Sequence, residues 1–205
     1  MNKIKYAFLG IVAVAFAGCA DLDYNEASNR DEDWTYNSPL NGVKALVYDV
    51  YAQMPSEFKD NSYGNGAMIA SATDESEFAL SFSPIHKYFN GGWTPSNPFS
   101  ITWDRSYRAI TQVHMYLERI HKIDLSDYEY DPDYQTMVQQ FEIFPYELRF
   151  LRAYFYFELV RAYGDVPLVT TTLTNEQANS EERTPAKDVF RLLINELDAV
   201  AEYLT

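Results

Sequence analysis

At 205 residues the chain is long enough to bury one substantial core. Its formal net charge of −14, with no cluster of Lys and Arg, excludes nucleic acid as a partner, because a polyanion needs a basic stripe to displace its counterions. Aromatic content of 16%, with 17 Tyr and 13 Phe, is the compositional outlier; such rings fill spaces between helices and make stacking platforms for sugars or extended peptides.

At the N-terminus, Lys3 and Lys5 precede an apolar run from Ala7 to Ala17, the pattern of an export signal. The run is too short to span a bilayer core, which takes ~20 residues. It gives way through Phe16-Ala17-Gly18 to Cys19, the chain's only cysteine, followed by the acidic Asp21 and Asp23. This is the layout of a bacterial lipoprotein signal, cut before Cys19 and lipidated on its thiol. A plain secretory signal cut near Ala15-Phe16-Ala17 is the alternative. A lone cysteine has no intramolecular disulfide partner, and lipidation gives an exported odd thiol a role. One acyl chain holds only reversibly, whereas several anchor durably. Residues 20–37 are polar and acidic without a period. The expected organisation is therefore a signal peptide at 1–18, a flexible tether at 19–37 and a folded part at 38–205.

Ser38 as N-cap and Pro39 at the first helical position predict a helix start. Val43, Leu46, Val47, Val50, Tyr51 and Met54 then recur at helical spacing, and Pro55 ends the element. From Ser56 to Pro98 glycines and prolines break the pattern into a loop-rich surface, the usual carrier of function. A second helix is expected from Phe99 or Ser100, with Trp103, Tyr107, Ile110, His114, Leu117 and Ile120 on one face. An acidic loop lies between Asp124 and Asp133. A third helix runs from about Met137 to Tyr163, kinked or restarted at Pro145. Its consecutive Tyr154-Phe155-Tyr156-Phe157 face several directions, so it needs packing on more than one side. Gly164 is expected as a left-handed C-cap, Val166 to Val169 as extended chain and Thr172 to Arg183 as a polar linker. The last helix takes Thr184 as N-cap and Pro185 as first residue, with Val189, Leu193, Leu197, Val200 and Leu204 on one face. Leu193, Leu197 and Leu204 call for partners beyond the present chain.

The stretch from Glu147 to Val169, which contains Leu151-Arg152-Ala153-Tyr154-Phe155-Tyr156-Phe157 and Tyr163-Gly164-Asp165-Val166-Pro167-Leu168, resembles the signature of the SusD/RagB family. Cys19, Asn41-Gly42, Thr73-Asp74-Glu75, Trp103 with Tyr107 and Ile110, and Arg183-Thr184-Pro185 extend the likeness in order and spacing. These are outer-membrane nutrient-binding lipoproteins of Bacteroidetes. The resemblance implies a mainly α fold of tetratricopeptide-like helical pairs, wound as a right-handed α-superhelix, with a loop-rich ligand-binding face. It also implies an oligosaccharide ligand, a lipid anchor facing the cell exterior, and a partner in a SusC-like TonB-dependent transporter. Peptide capture, as in RagB-like members, and a structural transporter partner without its own ligand are the alternatives. Family members are more than twice this length. The likeness thus covers their N-terminal part, and the chain's end within a helix is expected to mark a truncation.

Sugar recognition needs aromatic faces for C–H surfaces and amides or carboxylates for hydroxyls. Trp93, Tyr88, Phe78 and Asn97, with Asp74 and Glu75, are the candidate ligand-binding residues. Trp93 reads either as a stacking platform or as a loop aromatic tucked onto the core. Asp74, Glu75 and Glu77 would make a surface glycosidase only if two carboxyls faced one bond, which spacing does not establish. Capping of loops is the better reading of them. The segment Asp127 to Asp133 lacks the glycine and twelfth-position Glu of a calcium loop. His86, His114 and His121 form no metal pattern, and His114 on an apolar face reads as a satisfied core histidine. Glu147, Arg149, Arg152 and Glu158 are placed to lock helices together. No Ser/His/Asp arrangement, phosphate loop or dinucleotide fingerprint is present, so neither a catalytic residue nor a cofactor is expected.

Overall fold

Residues 32–37, expected as tether, are helical (α1, Glu32–Asn37), and Tyr36 is buried with its hydroxyl donating to the Met115 carbonyl at 2.9 Å. The folded part therefore starts earlier than the boundary at 38, because one apolar ring in a polar stretch suffices to dock it. The computed structural model describes residues 32–55, 69–97 and 101–204, without the side chains of 32, 33, 69 and 101. Cys19, the signal and the remaining tether lie outside the described residues, as do 56–68 and the expected start of the second helix at 99–100.

Pro39–Val43 form one wide π-type turn that leads into α2 (Lys44–Ala52). Ser38 does not cap this turn with its side chain; its carbonyl instead accepts from the N–H groups of Asn41 and Gly42. Gly42 is required by α1, since a Cβ there would stand 2.2 Å from the Thr35 carbonyl oxygen. Val43, Val47 and Val50 are buried as the spacing predicts.

The scaffold consists of α3 (Ile101–Arg119), α4 (Tyr134–Tyr163) and α6 (Ala186–Ala201), with α3 and α6 both packed on α4. This mainly α arrangement of successive helix pairs is the fold class that the resemblance implies. Of the kink or restart expected at Pro145, the restart does not occur: the 30-residue α4 runs through it without interruption. Proline removes one backbone bond, but Phe141, Phe144, Leu148 and Leu151 are buried on both sides of it, and burying such side chains stabilises by roughly 1.5–3 kcal/mol each. The aromatic run is divided as the helical period demands: Phe155 and Tyr156 are buried, Tyr154 is half-buried and Phe157 exposed.

Gly164 ends α4 with φ 72° and ψ −119°, a positive-φ conformation suited to glycine but not the left-handed helical cap expected. The chain reverses there and Val166–Pro167 (β1) pairs antiparallel with Arg183–Thr184 (β2). Between them the expected linker contains a short helix, α5 (Asn175–Ser180), opened by a capping box of Thr174 and Gln177. Thr184 belongs to β2 rather than capping α6. The first N–H of α6, from Ala186, is satisfied by Asp165 Oδ1 at 2.8 Å. A cap supplied from 21 residues away is invisible to local sequence rules.

The extended segment after β1 lies as a strap across the scaffold. Tyr107 Oη donates to the Pro167 carbonyl (2.7 Å), Tyr156 Oη pairs with both the N–H and the carbonyl of Val169 (2.8 Å each), and Glu118 accepts from Thr171 Oγ1 and the Thr172 N–H. His114 Nε2 adds a bond to the Val169 carbonyl at 3.2 Å. Because that oxygen only accepts and Arg152, 3.5 Å from Nδ1, only donates, His114 is neutral with its proton on Nε2. Burial, and then the Arg152 charge, lower its pKa. It is a satisfied core histidine.

Candidate functional site

The turn at Gly164 and the β1–β2 pair carry Arg183 to the beginning of α3, where an aromatic wall stands. Trp103 meets Tyr163, the last residue of α4, edge to face at 5.2 Å and tilts against Tyr107, one turn further along α3, at 4.8 Å. Tyr107 continues the series to Tyr156 at 6.4 Å. Desolvation is the first cause that raises the pKa of both phenols, so they remain neutral hydrogen-bond donors to the strap. The Arg183 guanidinium lies over Trp103, 5.6 Å from the ring centroid, and one of its N–H groups donates to the Asp165 carbonyl at 2.7 Å.

The opposite wall comes from the 69–97 loop. Trp93, Thr94 and Pro95 face Trp103, Ala162, Tyr163 and Arg183 across a cleft of about 570 Å³. That volume falls within the ~300–1,000 Å³ of small-ligand sites. Trp93 is 44% exposed and its indole meets Tyr88 edge to face at 5.0 Å, so Tyr88 braces the ring and leaves area on its surface for a ligand. Tyr88 ends a 3-10 turn, Pro84–Tyr88, whose start is capped by Ser83. His86 Nε2 donates to the Leu80 carbonyl at 3.0 Å and ties that turn to the chain before it. Asn97 clamps the loop: its Oδ1 accepts from Lys87 Nζ (2.7 Å), its Nδ2 donates to the Gly92 carbonyl (2.9 Å) and its N–H reaches Thr94.

Of the candidates expected from sequence, Trp93, Tyr88 and Asn97 therefore sit together. Asp74 and Glu75 are exposed, Phe78 is half-buried, and no hydrogen bond or ring contact among the described residues joins these three to that group. Thr73 organises their turn, donating to the Ala70 carbonyl and accepting from the Glu75 N–H. Neither Asp74, Glu75 nor Glu77 lines the aromatic cleft. In the acidic loop, Asp124 and Asp131 accept from the backbone N–H groups of Ser126 and Asp133. The bond from Ser126 lowers the Asp124 pKa.

Sequence reasoning missed the far wall. Trp103 read as a core residue of its helix, Tyr163 as the end of the signature and Arg183 as part of a resemblance. Nothing in their spacing puts residues 103, 163 and 183 on one surface. A second groove, of about 600 Å³, is lined chiefly by Ile120, Ile123, Leu125, Val138 and Phe141. Its two tyrosines, Tyr146 and Tyr203, stack face to face at 4.0 Å and so occupy each other's faces. Of the two, the cleft beside Trp93 is the one that leaves an indole surface exposed.

Residues 22–205 match the SusD-like family model described as starch-binding, associating with outer membrane. Among curated proteins none matches. A SusD-like carbohydrate-binding protein from Bacteroides fragilis superposes with a TM-score of 0.61 at 24% identity, covering 84% of this chain and 32% of its own. A SusD superfamily protein from Bacteroides thetaiotaomicron gives 0.57 at 24%, covering 80% and 35%. A laminarin-binding SusD-like protein gives 0.55 at 21%, covering 84% and 34%. The chain thus spans about a third of the length of these solved relatives. At such identities the likeness concerns the fold.

Proposed function

We propose that this chain, which belongs to the SusD-like family, binds nutrient oligosaccharide in the cleft between Trp93 and Trp103 and delivers it to a SusC-like TonB-dependent transporter at the outer membrane. Exposed Trp93, braced by Tyr88 above a concave wall of Trp103 and Tyr163, is the observation that carries this reading. A sugar ring laid on the indole buries its C–H face, and the Thr94 and Tyr163 hydroxyls with the Arg183 guanidinium serve its hydroxyls. The laminarin-binding relative and the family's description support a glycan over a peptide. The role is one of binding, with no catalytic step. Residues 1–18 act as the signal, Cys19 as the lipid attachment point, and the segment from there to α1 as the tether to the outer face of the membrane.

Titration of the full chain against a panel of plant and algal oligosaccharides tests the site. Trp93→Ala is expected to weaken binding by about two- to tenfold, given ~0.5–1.5 kcal/mol for aromatic contacts beyond area burial. Unchanged binding in that variant would relocate the site. The anchor has its own test: Cys19→Ser is expected to move the protein from the membrane to the soluble fraction without altering ligand affinity.

A further inference from the structure

The cleft carries a cation that no described carboxylate neutralises. Arg149 and Arg152 are taken by Glu196, Arg161 by Glu158 and Arg191 by Asp188. Arg183 makes no ion pair with any described residue; one N–H goes to the Asp165 carbonyl, while the Asp165 carboxylate is committed to the Ala186 N–H. Its guanidinium is exposed, yet it is held in orientation by that bond below and by the face of Trp103 beside it. Five N–H groups in a planar fork minus one leave an edge free for two parallel bonds. Among the described residues lining the cleft, Arg183 is the only charged one.

We infer that the cleft selects oligosaccharides bearing a carboxylate, the hexuronic acids, with the sugar ring on Trp93 and the carboxylate on the fork of Arg183. This rests on the cleft being the glycan site. The chemistry follows from the shape of each group. A guanidinium matches a planar carboxylate with two bonds, and its stacking on Trp103 lowers the cost of ordering it. The net charge of −14 does not oppose this at contact range: at physiological salt, charges beyond about 8 Å are screened, whereas a directly bonded pair inside a cleft is screened much less. A cation without an ion pair among the described residues of so acidic a chain therefore acts as a local reader of negative charge.

The test measures affinity of the full chain for oligogalacturonate, oligomannuronate and a glucuronate-containing oligosaccharide, each beside its own methyl ester. Ester and acid share every ring and hydroxyl and differ only at the carboxyl group, anionic in one and a neutral methyl ester in the other. At least one free acid is expected to bind about tenfold more tightly than its ester at low salt, with the preference shrinking as salt rises. Arg183→Gln is expected to abolish the preference by weakening the acid far more than the ester, and Trp93→Ala to weaken acid and ester alike. The acid and ester comparison on the unaltered chain stands even if Arg183→Gln loses its anchor to Asp165 and unfolds. Equal affinity for acid and ester, a preference that survives Arg183→Gln in a folded variant, or binding of sulfated oligosaccharides without any uronate would overturn the inference. Tight binding of neutral glycans alone, lost in Trp93→Ala, would overturn it and leave the site standing. Neutral or acidic glycan binding indifferent to Trp93→Ala would instead remove the site itself, and the inference with it.

Discussion

In the scaffold of α3, α4 and α6 the bonds that fix geometry join residues far apart in sequence: Tyr36 to Met115, Tyr107 to Pro167, His114 to Val169, Arg149 and Arg152 to Glu196. In the 69–97 loop the bonds between described residues join near neighbours, as in Asn90 with Gly92, Gly92 with Asn97, His86 with Leu80 and Lys87 with Asn97. The scaffold is also buried, with Leu148, Leu159 and Val113 all inaccessible, while Phe82, Phe89 and Trp93 in the loop stand in solvent. One wall of the cleft is thus held by the whole fold and the other by its own short-range bonds. The cleft is assembled from a rigid half and a locally braced half, and the two can be disturbed separately.

The largest effect is expected in the scaffold. Leu148→Ala, at a fully buried position amid α4, should cost about 2–5 kcal/mol in denaturant unfolding. Glu196→Gln comes next. The bond from Arg149 is 2.8 Å and that from Arg152 is 2.5 Å, and weakening both leaves two partly buried guanidinium groups poorly paired, at a cost of about 1–3 kcal/mol. This variant also tests a pH dependence. Burial works to raise the Glu196 pKa, but the bonds and charges of Arg149 and Arg152 prevail and hold it below its ordinary value. A carboxyl depressed in the folded state contributes stability that is complete above its unfolded pKa and lost as pH falls through the folded one. Acid unfolding of the parent should steepen below about pH 4.5, the unfolded reference, and that component should vanish in Glu196→Gln.

Tyr156→Phe removes both bonds to Val169 and is expected to cost about 1 kcal/mol, with faster amide exchange along the strap from 168 to 172. Exchange unchanged there would show that Tyr107, His114 and Glu118 suffice to hold the strap. Trp93→Ala should shift stability least, within about 0.5 kcal/mol, while changing ligand affinity most. A large loss of stability in that variant would mean that the loop is part of the core, and the contrast between the two halves would fail.

Helix periodicity located α2, α3, α4 and α6 because each buries one face against a neighbour; Val47, Ile110 and Val189 are inaccessible, whereas Tyr51, Met54, Ile120, Leu197 and Leu204, read onto the same faces, are exposed. Helix ends were read less well. Ser38 and Thr184 have the chemistry of caps, yet the backbone enters α2 through a π-type turn and α6 takes its cap from Asp165. The capping box at Thr174 and Gln177 was legible and passed over, since a six-residue helix carries no apolar period to draw notice. At the site, the loop residues Trp93, Tyr88 and Asn97 were visible as an aromatic and amide cluster within ten positions. Their partners across the cleft were not.

By itself the sequence determined the mainly α scaffold, the family and one wall of the cleft, because hydrophobic spacing and clustered aromatics are local signals. Only the tertiary structure decided that Trp103, Tyr163 and Arg183 form the other wall. That juxtaposition depends on the chain reversal at Gly164 and on two residues of β1 pairing with two of β2. A contact between positions 60 and 80 residues apart leaves no periodicity in the chain, and it exists only once the helices that carry its two halves have packed.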